Sequence, residues 1–255
     1  MRLKSNVISV ILPVYNAGKF LAECLDSLAS QTHEDLQIIA IDDKSRDDSY
    51  KILKSFQKKI NGLEVYKNKK HYGMSICYNR GVKRAKGQFI TFLNANDVNS
   101  PNRLKRQINF LLQDPKTVAV GTQYTKINED CKKIERISLP QTHEIIYDNL
   151  LHTESVCPET VMINRLLIPK DLLYFKSNKY PFIFNEVFAK FFQYGTVANI
   201  GQSLYFHRVG VKRNHRKISK LEKLTSTVLL GLTSWAEYDY RPSLRSLLIP
   251  LARQI

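Results

Sequence analysis

The chain has 255 residues, 43% of them hydrophobic, and a formal net charge of +16. That length allows one large α/β domain or two small ones, and no apolar run reaches the ~18 residues of a membrane-spanning helix. The charge attracts polyanions, whether nucleic acid, anionic lipid headgroups or phosphorylated substrates, and it is densest at residues 51–86 and 208–223. The four cysteines, Cys24, Cys77, Cys131 and Cys157, show no C-x-x-C spacing and fit scattered reduced thiols of a cytosolic protein.

In chain order, the opening "VISVILPVYN" reads as a buried strand that turns at Pro13, not as a signal peptide, because its apolar stretch is short, β-branched and followed by no small-residue cleavage site. Residues 17–30 place Phe20, Leu21, Cys24, Leu25 and Leu28 on one helical stripe. "LQIIAIDDKS" is a second buried strand ending on acids, and "SRDDSYKILKSFQKKI" begins with cap-forming Ser and Asp and continues as a helix. "LEVYKN" is a short strand. "MSICYNRGVKRAKG" is a helix closed by Gly87, and "QFITFLN" is a fourth strand. "SPNRLKRQINFLLQD" is a helix with Ser100 at its cap and Pro101 in its first turn, and "VAVGTQYTKI" is a fifth strand. Beyond residue 130 the pattern is weaker. "HEIIYDNLLHTE" is helical, "PETVMINRLLI" holds a strand, "NEVFAKFFQYG" is a helix ending at Gly195, and "TVANIGQSLYFHRVG" is a pair of short strands. The tail 218–255 is amphipathic and helical, with a break at Pro242.

Apolar strands alternating with amphipathic helices predict an α/β fold, a mostly parallel sheet with helices on both faces. Ligands of such sheets sit beyond the carboxyl ends of the strands. Three of those ends carry the distinctive residues: Pro13, Tyr15 and Asn16; Asp42 and Asp43; and Asn94, Asn96 and Asp97. No G-x-G-x-x-G or P-loop pattern follows the first strand, which argues against those nucleotide-binding classes. An aromatic side chain at such an end can stack on a flat base, and a carboxylate can accept its imide N–H.

The blocks "VISVILPVYNAGKFLAECLDSLASQT", "IIAIDDKSRDDS" and "GMSICYNRGVKRAKGQFITFLNANDVNSPNRL", in this order and spacing, resemble the family 2 glycosyltransferases of GT-A fold. The resemblance covers residues 6–125 well and continues faintly through "NEVFAKFFQYGTVANIGQSLYFHRV". It implies a Rossmann-like GT-A domain over residues 1–215, with a nucleotide-binding half at 1–125 and an acceptor half at 126–215, followed by the helical tail 216–255. It implies transfer of a sugar, hexosyltransferase-like and with inversion, from a nucleotide-sugar donor, UDP-sugar foremost. The acceptor is a hydroxyl of a glycan or lipid-linked saccharide, as in polysaccharide biosynthesis. By position, Tyr15 stacks on the base, Asp43 hydrogen-bonds it with Asp42 in support, Pro13 and Asn16 shape the turn, Arg80 lies beside the nucleotide, and His207 and Arg208 lie near the diphosphate.

The chain departs from the family pattern at two places. Where the family has Asp-x-Asp-Asp, this chain has Asn94-Ala95-Asn96-Asp97, so Asn96 stands at the metal-binding carboxylate. An amide offers a hard cation such as Mn²⁺ or Mg²⁺ an oxygen without the charge; Asp97 is the remaining acid, and a weakened metal requirement is expected. Ungapped counting back from Gly195 puts Phe184 at the position of the general base, with Glu186 the nearest acid and the candidate base; Glu154 and Glu159 remain open as acceptor-pocket residues. Two rivals follow: a catalytically impaired relative that binds nucleotide and acts as a partner or regulatory subunit, and a basic nucleic-acid-binding protein. The second lacks a reader motif and an interleaved aromatic platform, so no nucleic-acid partner is expected. The basic run and the tail predict a cytoplasmic protein held peripherally at an anionic membrane surface. Oligomeric state has no signature in the sequence.

Overall fold

A computed structural model describes residues 3–151, 155–176, 183–211 and 220–241. Strands β1 (Lys4–Val14), β2 (Leu36–Asp42), β3 (Leu63–Lys67) and β4 (Gly87–Phe92) are connected by helices α1 (Leu21–Ala29), α2 (Ser49–Phe56) and α3 (Met74–Arg84). They lie parallel in the order β3-β2-β1-β4. Then follow β5 (Val98–Asn99), α4 (Arg103–Gln113), β6 (Thr117–Ile127), β7 (Lys133–Ile137) and α5 (His143–Asn149). A 3-10 turn at Pro158–Thr160 leads into β8 (Met162–Asn164), α6 (Ile183–Phe191), β9 (Thr196–Arg208) and α7 (Lys220–Tyr238). Sheet order is β3-β2-β1-β4-β8-β6-β9-β5, with β7 paired to β6. Strand β8 is antiparallel to β4 and β6, and β9 is parallel to β6. The expected α/β sheet is therefore present, and it is continuous from the first half of the chain into the second.

Period-two alternation sends successive strand residues to opposite faces. Val10 and Leu12 pack with Leu21, Leu25, Leu53 and Leu104 of α1, α2 and α4. Ile11, Ile39 and Ile41 pack with Tyr78, Val187 and Phe191 of α3 and α6. Because both faces are covered, the inner strands are apolar almost throughout, as a doubly covered parallel sheet requires. The predicted α1 stripe of Phe20, Leu21, Cys24, Leu25 and Leu28 is buried as a unit.

Several boundaries differ from the sequence reading. Gly87 does not close α3; the helix ends at Ala85 in extended backbone, and Gly87 is the first residue of β4. Helix α4 starts at Arg103, with no side-chain cap from Ser100. The segment read as two short strands is one strand, β9, whose pairing with β6 shifts register between Thr122 and Tyr124, opposite Ile200 to Tyr205. Strands β5 and β7 were not anticipated.

The glycine at 87 is required by packing. A Cβ there would lie 2.4 Å from the Val7 carbonyl oxygen and 2.9 Å from Ser9 N, so even a methyl group forces β1 and β4 apart. Gly87→Ala is expected to destabilise the fold by about 1–3 kcal/mol, the scale of overpacking, read as a lower urea midpoint with an unchanged slope.

Candidate active site

The first three strands end level with one another. Val14 pairs with Asp42, and Asp42 with Lys67, so the residues that follow them emerge side by side at the carboxyl edge. Asn16 sits in the left-handed region (φ 48°), which Asn tolerates better than most side chains. Its side-chain oxygen accepts from Arg46 N (2.8 Å), and its own N–H donates to Ser45 Oγ (3.1 Å). These bonds stitch the turn after β1 to the loop after β2. Asp42 is buried and faces Ser45 N at 3.4 Å.

Asp43 organises the loop at residues 68–73. Its Oδ1 accepts from Asn68 Nδ2 (2.6 Å) and Tyr72 N (2.9 Å), its Oδ2 accepts from Gly73 N (2.7 Å), and His71 Nδ1 lies 2.8 Å from Oδ2. Two carboxylate oxygens offer about four acceptor sites, so this set uses them up. Gly73, at φ 89°, precedes α3, whose amino end adds a favourable dipole. The sequence reading has Asp43 contacting a base directly; in the structure its carboxylate is bonded to loop 68–73. Tyr15 packs against that loop. Its ring stacks on His71 with centroids 4.0 Å apart and planes 25° from parallel. Arg80 donates to Asn68 Oδ1, and its guanidinium lies 4.3 Å from the Tyr72 ring centroid, a contact worth about 0.5–1 kcal/mol at an exposed site. Tyr15, His71, Tyr72 and Arg80 thus form one half-exposed aromatic and cationic surface. His71 and Tyr72 were missed from sequence. The signal available was an aromatic pair before a glycine that begins a helix, in "KKHYG".

The Asn94–Asp97 turn forms a second cluster, after β4. Asn94 Oδ1 accepts from Asn96 N (3.0 Å), an Asx turn. Asp97 is fully buried. It accepts from Tyr205 OH (2.8 Å) and Arg208 N (2.9 Å), with His207 Nδ1 at 3.3 Å. Burial and the Asp97 charge together push the Tyr205 hydroxyl pKa well up, so it stays a donor. Arg208 is also fully buried. Its guanidinium donates to the backbone oxygens of Asn96, Asn128 and Glu129 and to Glu23 Oε2, and it lies over the Phe20 ring at 4.3 Å. These placements replace two sequence expectations. Arg208 braces the turn against α1 and the β6–β7 hairpin and does not face a diphosphate. Asp97 is engaged by β9 and does not offer a free carboxylate to a cation. Among the described residues, no group of three or more His, Cys, Asp or Glu side chains is placed to hold a metal ion. Asn94 and Asn96 can offer a cation only neutral carbonyl oxygens, and the Asp97 carboxylate is engaged by β9, so the turn supplies less negative charge than Mn²⁺ or Mg²⁺ usually meets.

The acids differ in environment. Glu186, 3% exposed on α6, receives Lys176 Nζ (2.9 Å), Lys190 Nζ (3.1 Å) and Tyr238 OH (3.1 Å). Burial alone would raise its pKa, but the hydrogen bonds and charges of the two lysines outweigh it and hold the carboxyl below its usual range. A carboxylate so neutralised is a poor proton acceptor, so the structure gives Glu186 an anchoring task. Phe184 packs against Tyr78 and Phe92 with centroids 5.2 and 5.4 Å away. Glu159, at the 3-10 turn, is half-buried; its Oε2 accepts from Cys157 Sγ (3.5 Å), and its charge acts on Tyr78, Tyr205 and Arg103. Arg103 is a further buried residue the sequence did not reveal. It donates to Asn99, Gln107, Thr91 and the Glu159 backbone oxygen, and burial lowers its pKa to about 10. Glu154 lies outside the described residues.

Around the first cluster the charge is one-sided. Residues 51–86 contain eleven Lys and Arg and one acid, Glu64, and every lysine in this stretch is exposed. Most of it lies on α2, on the edge strand β3 and on α3. A depression of about 290 Å³ at the opposite, amino edge of the sheet, between Lys4, Leu36 and Gly62, contains none of the site residues.

The mixed sheet, with Tyr15, His71, Tyr72 and Arg80 at its carboxyl edge, is that of a GT-A fold. Residues 9–168 match the family model described as Glycosyl transferase family 2, and the chain belongs to that family. It is similar to an uncharacterized glycosyltransferase of Rickettsia prowazekii (31% identity over 215 residues, 82% of this chain and 64% of that protein). It is also similar to the poly(ribitol-phosphate) beta-glucosyltransferase of Bacillus spizizenii (37% over 117 residues, 45% of this chain and 18% of that protein). The chain thus spans less than two thirds of either relative. Among solved structures, TarS 1-349 of S. aureus in complex with UDP-GlcNAc superposes with a TM-score of 0.74 at 19% identity, covering 96% of this chain and 70% of that one. Mannosyltransferase PcManGT from Pyrobaculum calidifontis, in complex with GDP-Man and Mn²⁺, gives 0.66 at 16% identity, covering 97% and 68%. Both share the fold.

Two predictions follow from the buried charges. Arg208→Ala removes the donor to the Asn96, Asn128 and Glu129 carbonyls, of which Asn128 alone keeps another, from Cys131 N, and is expected to cost at least about 3 kcal/mol of stability, read by urea denaturation; a diphosphate ligand role would leave the midpoint unchanged. For Glu186, the lowered folded-state pKa means that its contribution is complete above the unfolded value of 4.5 and is lost as pH falls through the folded value. The Tm difference between wild type and Glu186→Gln is therefore level at neutral pH and shrinks on the acid side of 4.5.

Proposed function

We propose that this chain transfers a sugar from a nucleoside diphosphate sugar, a UDP-sugar, to a hydroxyl group of a glycan or lipid-linked saccharide, with inversion at the anomeric carbon. The observation that carries this reading is the crevice wall of Tyr15, His71, Tyr72 and Arg80, assembled around Asp43 at the carboxyl edge of a family 2 sheet. UDP-sugar as donor is supported by the fold neighbour TarS, solved with UDP-GlcNAc. A hydroxyl-rich acceptor is supported by the relative named for poly(ribitol-phosphate).

In this reading the base lies against the Tyr15–His71 pair. Arg80, already oriented by Asn68 and Tyr72, supplies positive charge next to the diphosphate, where negative charge builds up as the leaving group departs. We assign the base to Glu159 in preference to Glu186, because two lysines neutralise Glu186, whereas the Glu159 charge acts on Tyr205, the residue that bonds Asp97. The acceptor oxygen attacks the anomeric carbon, the bond from that carbon to the diphosphate oxygen breaks, UDP leaves with the electron pair, and Glu159 takes the hydroxyl proton. No step is routed through a metal; Asn96 and Asp97 are the residues that would hold one, and it would supply positive charge beside the diphosphate.

A second reading has a specific observation behind it. Asn96 and Phe184 stand where the family's metal-binding and basic residues are expected, which suits a nucleotide-binding partner subunit without turnover.

Calorimetric titration with UDP and GDP, paired with a UDP-release assay on glycan acceptors, tests both readings. UDP is expected to bind more tightly than GDP. Tyr15→Ala is expected to weaken it by about 1–3 kcal/mol, the scale of base–aromatic stacking, and Glu159→Gln to lower kcat by about a hundredfold with UDP affinity kept. UDP binding with no release from any donor selects the partner-subunit reading. Equal UDP affinity in wild type, Tyr15→Ala and Arg80→Ala removes the crevice from consideration.

A further inference from the structure

Among the described residues, helix α7 exposes large apolar side chains on its outer side. Its inner side is fixed: Leu230 and Ser234 are buried, Tyr238 donates to Glu186, and just beyond the helix Tyr240 donates to the Tyr147 backbone oxygen and stacks on Phe192 at 5.4 Å. On the outer side Val228 and Leu229 are each 47% exposed, Leu232 is 60% exposed and Trp235 is 61% exposed. Val228, Leu232 and Trp235 follow the i, i+4, i+7 spacing of one helical face, with Leu229 alongside. Four large apolar side chains grouped on one exposed helix face form a patch of the kind that marks an interaction surface.

The charges around that stripe identify the occupant. From Leu224 to Ala236 the sequence has no charged residue. Immediately before it, residues 212–223 contain six Lys and Arg against one acid, Glu222. After it come Glu237, Asp239 and Arg241, of which Arg241 pairs with Asp239 at 2.7 Å, so the cationic excess is on the amino side alone. An uncharged apolar face containing a tryptophan and preceded by a cationic run is the pattern of a helix lying in a bilayer interface, with its apolar side at the acyl boundary and a basic segment next to it to meet anionic headgroups. No described helix is long and apolar enough to cross a membrane, so the geometry is that of a helix lying on the surface. The six cations of the amino-side flank favour an anionic lipid surface over an apolar protein partner.

We propose that the outer face of α7, formed by Val228, Leu229, Leu232 and Trp235, docks this protein on an anionic lipid surface. The arrangement needs both signals. A few apolar side chains alone attach weakly, and cations alone are screened by salt. Arg208, although it adjoins the basic run, takes no part because it is buried. The inference is independent of the sugar-transfer reading, since docking requires no nucleotide.

Trp235 is the sole tryptophan of the chain, so its fluorescence reports on this stripe alone. The full chain is mixed with phosphatidylglycerol–phosphatidylcholine vesicles and with phosphatidylcholine vesicles, without nucleotide. The expected result is a blue shift, and quenching by brominated acyl chains, with the anionic vesicles only. Co-sedimentation should weaken with added salt and fall at least about tenfold in Leu232→Glu, an exposed position whose substitution leaves folding intact by circular dichroism. Emission already blue-shifted without vesicles overturns the proposal; light scattering then shows whether a second copy or the chain's own residues 242–255 cover the stripe. Equal binding to neutral vesicles, or undiminished binding by Leu232→Glu, overturns it as well.

Discussion

The carboxyl edge of the sheet depends on one buried carboxylate. Asp97 follows β4, and its bonds to Tyr205, Arg208 N and His207 fix that turn to the end of β9, more than a hundred residues on. An ionised carboxylate out of water is costly unless its acceptor sites are filled, so the bonds make the position of β9 nearly compulsory. Once β9 is placed, the Arg208 side chain has one direction to take, inward over Phe20, and its donors meet the carbonyls of Asn96, Asn128 and Glu129. Helix α1, the hairpin at β6–β7 and the Asn94–Asp97 turn are thereby joined through two side chains. An acid at this strand end has become a fastening for the second half of the fold.

This explains which parts of the molecule could be read from the chain and which could not. Buried strands announce themselves, because a sheet covered on both faces needs unbroken runs such as "VISVIL" and "LQIIAI", and α1 announces itself through its stripe. Strand β7, "KIERI", is exposed along nearly its whole length and has no apolar face to betray it. Strand β5 consists of two residues and exists only because β9 passes beside it. In the site, the residue types at Tyr15, Asp43 and Arg80 point to a nucleotide crevice, but the tasks they share out depend on loop 68–73, whose backbone donors have no sequence signature. Whether Arg208 faces solvent or the interior turns on partners from positions 23, 96, 128 and 129, which no local pattern brings together.

Glu159 and Glu186 make the same point for chemistry. As letters they are equivalent, and proximity to the base position counted back from Gly195 favoured Glu186. Two lysines and a tyrosine converge on that side chain, whereas Glu159 shares its surroundings with tyrosines and a buried arginine. Environment separates an anchor from a candidate base. Because Tyr238 belongs to α7, the anchor also fixes the angle at which the outer stripe of that helix is presented.

The eleven lysines and arginines of residues 51–86, against one acid, give the side of the molecule built from α2, β3 and α3 a strong positive charge. A small polyvalent anion diffusing nearby is drawn toward such a side, so encounters there are more frequent than random collision would give. Such steering acts on arrival and hardly on departure. Raising ionic strength toward a Debye length of ~8 Å would therefore slow the capture of an anionic ligand there while leaving its residence time nearly unchanged.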